Sequence, residues 1–501
     1  MGDVFAGAGT LGMWALVVMV MLGAVPLAAA SAQFLIIGLH AVRNHYERTA
    51  PYSPRVAILV PAWNEAAVLG ASIDRLVGLE YPADRLRVYV VDDASTDATP
   101  DVVRAKGQQY PGQVVHLRRE KGGEGKAHTL NHGLRLILDD DWMEALLIMD
   151  ADVIYEADSL RKMTRHLADP AVGAVTAYIK EGSQPGNYLQ RFVAYEYITA
   201  QAAARRSQNV LGAMACLAGG AQLHSRRNLE AIGGQIDTSS LAEDTFTTFN
   251  TQLAGHRVVF EGNATVWAEE PDSIVGLWKQ RLRWARGNVQ VTLRFKHLWF
   301  RPRREHGLGD ISFAVFWFCL FLLPVFMIVS SVALLTLYFL DFERSWALFH
   351  HLWIINAVSY LFITTFAMAI DPQTAKRVWA QAILFPGAVS VLVILYTCTP
   401  RVFEYLVERW GAMTGLTWNH ITTEVTILIA YSWLGLCMPV AYLGKKAEER
   451  GRGWLSPLFV YLGGYGPLLC AVTFTSYVYE LRGAEMKWDK TEKTGKVSIP
   501  R

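Results

Sequence analysis

Neither cysteine nor net charge is abundant in this sequence. Its 501 residues include five cysteines, four of which lie inside apolar stretches, and no two have the spacing of zinc ligands. This argues against a disulfide-built fold and against a cysteine metal site. Lys and Arg together number 47 and Asp and Glu 45, so the formal net charge is only +2. A near-balanced chain of this kind is not expected to bind nucleic acid through a basic surface.

Apolar residues, by contrast, make up 52% of the chain, and aromatic residues 12%. That composition favours a membrane-embedded protein, and the length leaves room for a large soluble domain as well. The first apolar run, residues 11–39, exceeds the roughly 20 residues that cross a bilayer. It predicts an N-terminal transmembrane helix within residues 1–42.

A cleavable signal peptide is the competing interpretation of this first segment, because the small residues 28–32 resemble a cleavage site. Signal peptides begin with positive charge, whereas the leading residues here carry Asp3 and no Lys or Arg. Positive charges follow at Arg43, Arg48 and Arg55. By the positive-inside bias, we expect the chain from about residue 42 onward to be cytoplasmic.

Residues 52–271 have the character of a soluble α/β domain. Short apolar runs, each followed by a polar turn, occur at 56–60, 87–91, 114–117, 146–149 and 173–178. Runs of this length separated by helical stretches predict buried parallel strands in a βαβ arrangement. Ligands of such sheets bind beyond the carboxyl ends of the strands, so the polar residues after each run are the candidate site residues.

Residues 272–308 form a basic amphipathic segment. We expect its helices to lie in the headgroup plane with their cations toward lipid phosphates and cytosol. Those cations are Lys279, Arg281, Arg283, Arg286, Arg294 and Lys296.

A transmembrane helix bundle is predicted for residues 309–480, with spans at 311–340, 352–370, 378–397, 423–443 and 454–480. Five spans would leave the basic tail, 481–501, outside, whereas its charges favour the cytoplasm. These are Lys487, Lys490, Lys493, Lys496 and Arg501. A cytoplasmic tail requires one segment to be interfacial or re-entrant, and the weakest candidates are 352–370 and the glycine-interrupted 454–480.

Acidic residues follow the first two predicted strands. Glu65 closes the run 61–65 after the first strand, and Asp92 and Asp93 follow the second. Carboxylates at strand ends can accept hydrogen bonds from a nucleobase and a ribose. An ordinary turn or helix N-cap is the alternative interpretation.

A glycine-rich loop, residues 122–126, ends in Lys126. It lacks the spacing of a P-loop, yet a lysine here is well placed to meet a diphosphate. The alternative is a mobile surface turn.

Asp150 and Asp152 follow the fourth predicted strand. Together they can hold a hard divalent ion that leaves positions open for phosphate oxygens, as magnesium prefers.

Two further groups of polar residues complete the candidate site. Glu243 and Asp244 follow glycine-rich turns, where a carboxylate could act as general base on an acceptor hydroxyl; helix N-terminal charges are the alternative. Gln280, Arg283 and Trp284 share one face of a helix. An amide and a guanidinium can hydrogen-bond the hydroxyls of a sugar, and an indole can stack on its C–H face. The alternative interpretation is a basic helix on the membrane surface.

In order and approximate spacing, these motifs resemble those of processive family 2 glycosyltransferases, which include cellulose, chitin, hyaluronan and poly-N-acetylglucosamine synthases. The resemblance covers about residues 55–300. It implies an α/β GT-A (Rossmann-like) catalytic domain inserted between transmembrane helices in an integral membrane protein. It also implies a UDP-sugar donor, a Mg2+ or Mn2+ ion and inverting transfer.

The resemblance also implies roles for the motif residues. Nucleotide binding falls to Glu65, Asp92, Asp93, Lys126 and Asp150; metal binding to Asp150 and Asp152; catalysis to Asp244, Asp152 and Arg283; acceptor binding to Gln280, Trp284 and Glu243. The sequence departs from the family at Ala242, where many relatives have threonine. No clear counterpart of the gating-loop motif of bacterial cellulose synthases is visible, and no cyclic-dinucleotide-binding domain follows the bundle.

The sequence therefore predicts a multi-pass protein of the cell (inner or plasma) membrane with a cytoplasmic catalytic domain. It is expected to polymerise a UDP-hexose or UDP-N-acetylhexosamine into a β-linked polysaccharide and to translocate the growing glycan, with accessory export or modification subunits as further partners. Two rivals remain open. One is a non-processive transferase acting on a polyprenyl-phosphate lipid, and the other is a transporter or receptor that only senses nucleotide. The donor sugar, linkage and polymer length stay open.

Overall fold

The computed structural model describes residues 2–415, 420–486, 495 and 497–499. The chain divides into two compact units. The helical unit comprises Met1–Phe34 and Val315–Gly483, and the α/β unit comprises Leu35–Ala314 and Ala484–Arg501. Of the basic tail, Lys487, Lys490, Lys493, Lys496 and Arg501 lie outside the described residues.

The N-terminal apolar run forms two helices, α1 (Gly2–Met21) and α2 (Val25–Val42), and not the single helix predicted. Pro26 lacks an amide hydrogen, so a continuous helix would lose a hydrogen bond at this point. Gly23 meets a neighbour closely, since a Cβ there would lie 2.6 Å from the Ser330 Oγ atom. Ser330 in turn donates a 2.7 Å hydrogen bond to the carbonyl of Val20.

The α/β unit is built on one mixed sheet. Its strands are β1 (Val56–Ala62), β2 (Leu86–Asp92), β3 (Val114–Arg118), β4 (Ala145–Ile148), β5 (Ile154–Tyr155), β6 (Val172–Glu181), β7 (Gln222–Ser225) and β8 (Arg257–Ala268). The order in the sheet is β3-β2-β1-β4-β7-β6-β8-β5.

All five predicted strands are present, as β1 to β4 and β6. The first four pair in parallel, and β6 runs the same way because β7 lies antiparallel between it and β4. The sheet is mixed because β5 and β7 run against the others. These two strands and β8 lie outside the predicted set.

The helices of the α/β unit are α3 (Ala66–Val77), α4 (Thr99–Gln109), α5 (Lys126–Leu138), α6 (Ser159–Thr164), α7 (Tyr188–Tyr197), α8 (Ala204–Leu211), α9 (Arg226–Ala231), α10 (Glu243–Leu253) and α11 (Ile274–Arg294). The helices α3 to α10 pack on this sheet. Gly133 lets α5 approach the sheet, because a Cβ there would lie 2.6 and 2.8 Å from side-chain carbons of Leu59 and Val91. The close packing fixes Lys126, the first residue of α5, above the strand ends.

Helix α11 carries the basic amphipathic segment, and two of its arginines correct the prediction that all the cations face lipid phosphates and cytosol. Arg281 is buried, with an ion pair to Glu196 at 3.0 Å. Arg286 is also buried and donates to the carbonyl oxygens of Ala484 and Glu485. Both guanidinium groups are therefore used inside the α/β unit.

The helical unit continues with α12 (Ile311–Phe321), which crosses the unit boundary, and then α13 (Leu323–Leu340), α14 (Phe342–Ile370), α15 (Pro372–Ile383), α16 (Ala388–Cys398), α17 (Pro400–Thr414), α18 (His420–Glu449), α19 (Ser456–Gly463) and α20 (Tyr465–Leu481). Among the described residues, four helices are long and apolar enough to cross a membrane, or up to six spans if each of two bent helix pairs counts as one. The composition is that of a membrane protein.

Three of the predicted spans consist of two helices each: 311–340 is divided into α12 and α13, and the other two are sharply bent. The segment 454–480 bends by 98° between α19 and α20, as its glycines indicated, and 378–397 bends by 79° between α15 and α16, where no break was predicted. The other suspected segment, 352–370, lies within the continuous helix α14, which is long and apolar enough to cross a membrane. The two breaks touch, since a Cβ on Gly464 would lie 2.5 Å from the backbone of Pro386.

Candidate active site

The loops that follow β1 and β2 are bonded to each other. The amide of Asn64 donates to the Ser95 Oγ atom at 3.0 Å, and its side-chain oxygen accepts from the amide of Thr96 at 2.9 Å. The amide of Glu65 donates to the Thr99 hydroxyl at 2.8 Å. This network holds Glu65, at the start of α3, beside the loop that carries the predicted Asp92 and Asp93.

Asp92 is fully buried at the end of β2. One oxygen accepts the amide of Ser95 at 2.8 Å, and the other accepts the Arg118 Nη1 group at 3.0 Å. His116 lies 3.6 Å from the same oxygen. Burial lowers the pKa of His116, although the charge of Asp92 opposes that shift. The carboxylate of Asp92 therefore stabilises its own loop.

Asp93 anchors the glycine-rich loop. Its carboxylate accepts hydrogen bonds from Arg119 and, at 2.9 Å, from the amide of Gly123. Arg119 also pairs with Glu124. A Cβ on Gly122 would lie 2.1 Å from the carbonyl oxygen of Asp93, so only glycine fits there. The loop that leads to Lys126 is thus fixed by the end of β2.

Lys126 joins the two ends of the predicted site. Its ammonium lies 2.5 Å from Asp150 Oδ1 and 3.9 Å from Glu243 Oε1, and it donates to the carbonyl of Gly219 at 3.1 Å. Burial alone would lower the pKa of Lys126, but the charges of Asp150 and Glu243 outweigh it and raise the pKa. The lysine is therefore a cation inside the site.

Gly219 and Gly220 allow acidic residues from two elements to approach one dipeptide. A Cβ on Gly219 would lie 3.4 Å from both Asp244 Oδ2 and the Lys126 ammonium, and one on Gly220 would lie 3.5 Å from Asp150 Oδ2. Tyr155 donates to the carbonyl of Gly220 at 3.0 Å. Side chains from the segment after β4 and from α10 consequently lie beside this glycine pair.

Glu243 and Asp244 are the first two residues of α10. Their charges therefore also have the favourable position at a helix N-terminus that the alternative interpretation predicts. Burial and the neighbouring Asp244 charge raise the pKa of Glu243, against the opposing charges of Lys126 and Arg283. Asp244 is half-buried, and its Oδ1 atom accepts the amide of Thr245 at 2.7 Å. The arrangement brings Lys126, Asp150, Glu243 and Asp244 together.

The predicted acceptor residues lie on α11. Gln280 is buried, and its side-chain oxygen accepts a 2.5 Å hydrogen bond from Arg281. Trp284 is 38% exposed, with the Arg281 guanidinium 4.1 Å from its ring centroid. Arg283 is half-buried and near enough to influence Glu243. The structure therefore links the Gln280 and Trp284 side chains through Arg281.

Sequence reasoning missed three residues that support the site. Arg118 and Arg119 bind the carboxylates after β2, and Cys216 lies beside Asp244. Burial and the Asp244 charge raise the pKa of Cys216 well above its usual range, so it stays a thiol. The consecutive arginines at the end of β3 were a visible signal, whereas nothing in the sequence pointed to Cys216.

A divalent metal would have to be held by few protein groups. Within the described part of the chain, no cluster of three or more His, Cys, Asp or Glu side chains could hold a metal ion. Asp150 and Asp152 stand one residue apart after β4, and the side chain of Asp150 is 39% exposed. Two carboxylates with open positions fit a hard cation whose coordination is completed by phosphate oxygens.

Comparison with known proteins identifies relatives of the α/β unit. "Probable glycosyltransferase YdaM" of Bacillus subtilis is 31% identical over 55% of this chain and 64% of that protein. The beta-monoglucosyldiacylglycerol synthase of Synechocystis is 33% identical over 49% and 50%. A poly-beta-1,6-N-acetyl-D-glucosamine synthase of Staphylococcus epidermidis is 27% identical over 48% and 56%. The chain thus spans between half and about two thirds of the length of these relatives.

The fold has a counterpart among solved structures. A mannosyltransferase from Pyrobaculum calidifontis, solved with GDP-Man and Mn2+, superposes with a TM-score of 0.51 and 23% identity, covering 76% of this chain and 99% of that one. This likeness supports the predicted GT-A fold. The model of the family described as "Glycosyltransferase like family 2" matches residues 54–287. The match includes every predicted site residue, so residues 54–287 are similar throughout to a family 2 glycosyltransferase domain.

Proposed function

We propose that the α/β unit transfers a hexose or N-acetylhexosamine from a UDP-sugar, with inversion, to the end of a growing β-linked polysaccharide. One observation carries the proposal. The ammonium of Lys126 bridges Asp150 and Glu243 beside Asp244, around a glycine pair that leaves no side chain in the way. A cation, a metal-binding carboxylate and a candidate base therefore meet at one point.

The donor would bind across the ends of β1, β2 and β4. Glu65, Asp92 and Asp93 belong to the loops that would hold the nucleoside, and Lys126 would exchange part of its contact with Asp150 for the diphosphate. Asp150 and Asp152 would hold Mg2+ or Mn2+. When bound, that ion neutralises charge that develops on the departing diphosphate.

The transfer itself would be a single displacement at the anomeric carbon. The acceptor hydroxyl oxygen forms the new bond as the bond from that carbon to the diphosphate oxygen breaks, which inverts the configuration. The hydroxyl proton passes to the carboxylate of Asp244, and Arg283 and Lys126 stabilise the leaving UDP. Positioning and electrostatics supply most of the barrier reduction in such a step.

The helical unit and the exposed indole of Trp284 support a polymer as the acceptor. Four to six candidate spans and a platform for a sugar ring suit an enzyme that extends a glycan and passes it through the membrane. In this proposal the enzyme lies in the cell membrane with its α/β unit in the cytosol. Accessory export or modification subunits fit the same scheme.

A second candidate is transfer of one sugar to a lipid acceptor. The relative that favours it is the beta-monoglucosyldiacylglycerol synthase, at 33% identity. Both candidates use the same donor site and the same base. They differ in the length of the product and in whether it remains attached to lipid.

The experiment is UDP release by the detergent-solubilised protein with Mg2+, using UDP-glucose, UDP-N-acetylglucosamine, UDP-glucuronate and UDP-galactose in turn. Turnover with one donor that yields a high-molecular-weight glycan, and that is lost in Asp244→Asn, is the expected result. A short lipid-linked product would favour the second candidate instead. Nucleotide binding with no turnover for any donor would favour a sensor and contradict both enzymatic candidates.

A further inference from the structure

Arg281 is a buried cation that the proposed chemistry does not use. Its side chain is only 5% exposed, and two carboxylates compensate it: Glu196, at 3.0 Å, and Glu270, at 3.8 Å. Isolated charges are costly to bury, so an arginine in this position needs such partners. The pair of acids fixes where the guanidinium can lie.

The guanidinium contacts two of the predicted acceptor residues at once. Its Nη1 atom donates to the side-chain oxygen of Gln280, and its Cζ atom lies 4.1 Å from the ring centroid of Trp284. A cation over an indole is the strongest of the cation–π pairs. Since Trp284 is still 38% exposed, the arginine covers part of the ring and leaves the rest accessible.

The two acids are themselves fixed by α7. Glu196 and Tyr197 are its last residues, and the Tyr197 hydroxyl donates to Glu270. The amide of the Gln190 side chain donates to the carbonyl of Glu270 at 2.8 Å. A π-helical turn, Ile198–Ala203, follows directly, and such turns are frequent at functional sites. The position of the Trp284 ring is thus tied, through Arg281 and its two acids, to the C-terminal end of α7.

We propose that Arg281 is a positioning residue that holds Trp284 as the platform for the acceptor sugar, with Glu196 and Glu270 as its anchors. The inference rests on the proposed function. It assigns the acceptor a pyranose ring whose C–H face stacks on the exposed part of the indole. Arg281 touches neither donor nor acceptor in this scheme. Without it, the donor would still bind, but the acceptor would be poorly aligned.

The test measures coupling, defined as sugar transferred to product per UDP released. A misaligned acceptor lets water take its place, so UDP release continues while product falls. Arg281→Lys keeps the charge but loses the planar stack. We expect coupling to fall about three- to thirtyfold, the range from an exposed to a desolvated cation–π contact, with the KM for donor unchanged.

Arg165 offers a matched control. It too pairs with a buried carboxylate, Glu261, at 2.5 Å, and its guanidinium lies 4.4 Å from the ring centroid of Tyr46. Arg165→Lys makes the same chemical change at a position that no predicted site residue contacts in the described structure. Coupling in this variant should equal that of the wild type.

Trp284→Phe supplies a second variant, which should lower coupling on its own and add little to Arg281→Lys, because both remove the same contact. Unchanged coupling in Arg281→Lys would overturn the inference. So would a drop in Tm with equal losses of UDP release and product, which would make the role structural. Absence of UDP release from the wild type with every donor would instead refute the proposed function.

Discussion

The carboxylates at the end of β2 and those after β4 occupy equivalent ends of two parallel strands that flank β1, yet their partners differ. Asp92 and Asp93 are bound by arginines and by backbone amides, whereas Asp150 pairs with a lysine. Arginine offers a planar fork that fixes geometry, and lysine is a point charge on a flexible stem. We infer that the carboxylates at the end of β2 have a structural role, because arginines and amides hold them in place. The carboxylate of Asp150, after β4, can exchange its lysine partner for a ligand.

The largest effect should come from the exchangeable end. Asp150→Asn removes a charge that both balances Lys126 and would bind the metal, so we expect turnover to fall about 10²–10³-fold, as for other groups that stabilise transition-state charge. The rate of UDP release at a saturating concentration of donor measures this loss of turnover. Tm should fall as well, because buried Lys126 loses its nearest carboxylate, although Glu243 at 3.9 Å still compensates part of its charge. If Asp150→Asn unfolds but its folded fraction keeps full activity, Asp150 is structural, as Asp92 and Asp93 are, and the inferred difference between the two strand ends is wrong.

Glu261 indicates how much a buried carboxylate that is paired with an arginine contributes to the free energy of unfolding. Burial alone would raise its pKa, but hydrogen bonds from His166 and Arg165 bring it from the ordinary 4.5 to about 2. Because the folded-state pKa is the lower one, the stabilisation is present above pH 4.5 and is lost as pH falls toward 2. Glu261→Gln should cost about 3 kcal/mol near neutral pH and flatten the acid limb of a urea-denaturation series. An unchanged acid limb would contradict it.

Ligand binding should distinguish the ends as well. If the β4 end exchanges Lys126 for diphosphate and metal, UDP with Mn2+ should raise Tm more than the sum of the separate shifts. Saturation at a hundred times the Kd corresponds to about 2.7 kcal/mol. Chelation of the metal should abolish the joint effect, and so should Asp152→Asn. Additive shifts in differential scanning fluorimetry would mean that the metal and UDP bind independently.

The smallest effect is expected at Asp92. Asp92→Asn keeps the shape but weakens the acceptor for Ser95 and Arg118, so we expect a loss of about 1–3 kcal/mol in unfolding free energy. The KM for donor should rise because the loop also positions Asp93 and Glu65. Arg118→Ala is the companion variant, with a smaller loss since that side chain is 47% exposed. Wild-type stability in Asp92→Asn would show that the β2 end is not a scaffold.

Much of the sheet could be predicted from the sequence, because β1, β2 and β4 are continuous apolar runs. The short strand β7 has the mixed sequence QLHS, and β8 contains a Gly-Asn pair that is typical of a turn. Their strand character comes from pairing with β4 and β6, which no local pattern encodes. The antiparallel strands of the sheet could therefore not be predicted from the sequence and are known only from the structure.

The candidate site was predictable to the same extent. Residues directly after strands, such as Asp150, and the lysine that opens α5 were found by position alone. The burial of Arg281 was not, since its anchors Glu196 and Glu270 are distant in the sequence. Charge on an amphipathic helix indicates a solvent or lipid face only if no acidic partner approaches it. Local charge patterns cannot reveal such a partner.

The return of the chain to the α/β unit sets an order of synthesis. Arg286 donates to the carbonyls of residues 484 and 485, and Ser183 forms a backbone bridge with Val497. Val315–Gly483 lies between these stretches, so the ribosome must finish the helical unit first. At about 5–20 residues per second that takes on the order of ten seconds. A nascent α/β unit stays incomplete for that interval, which couples its completion to prior synthesis of the helical unit.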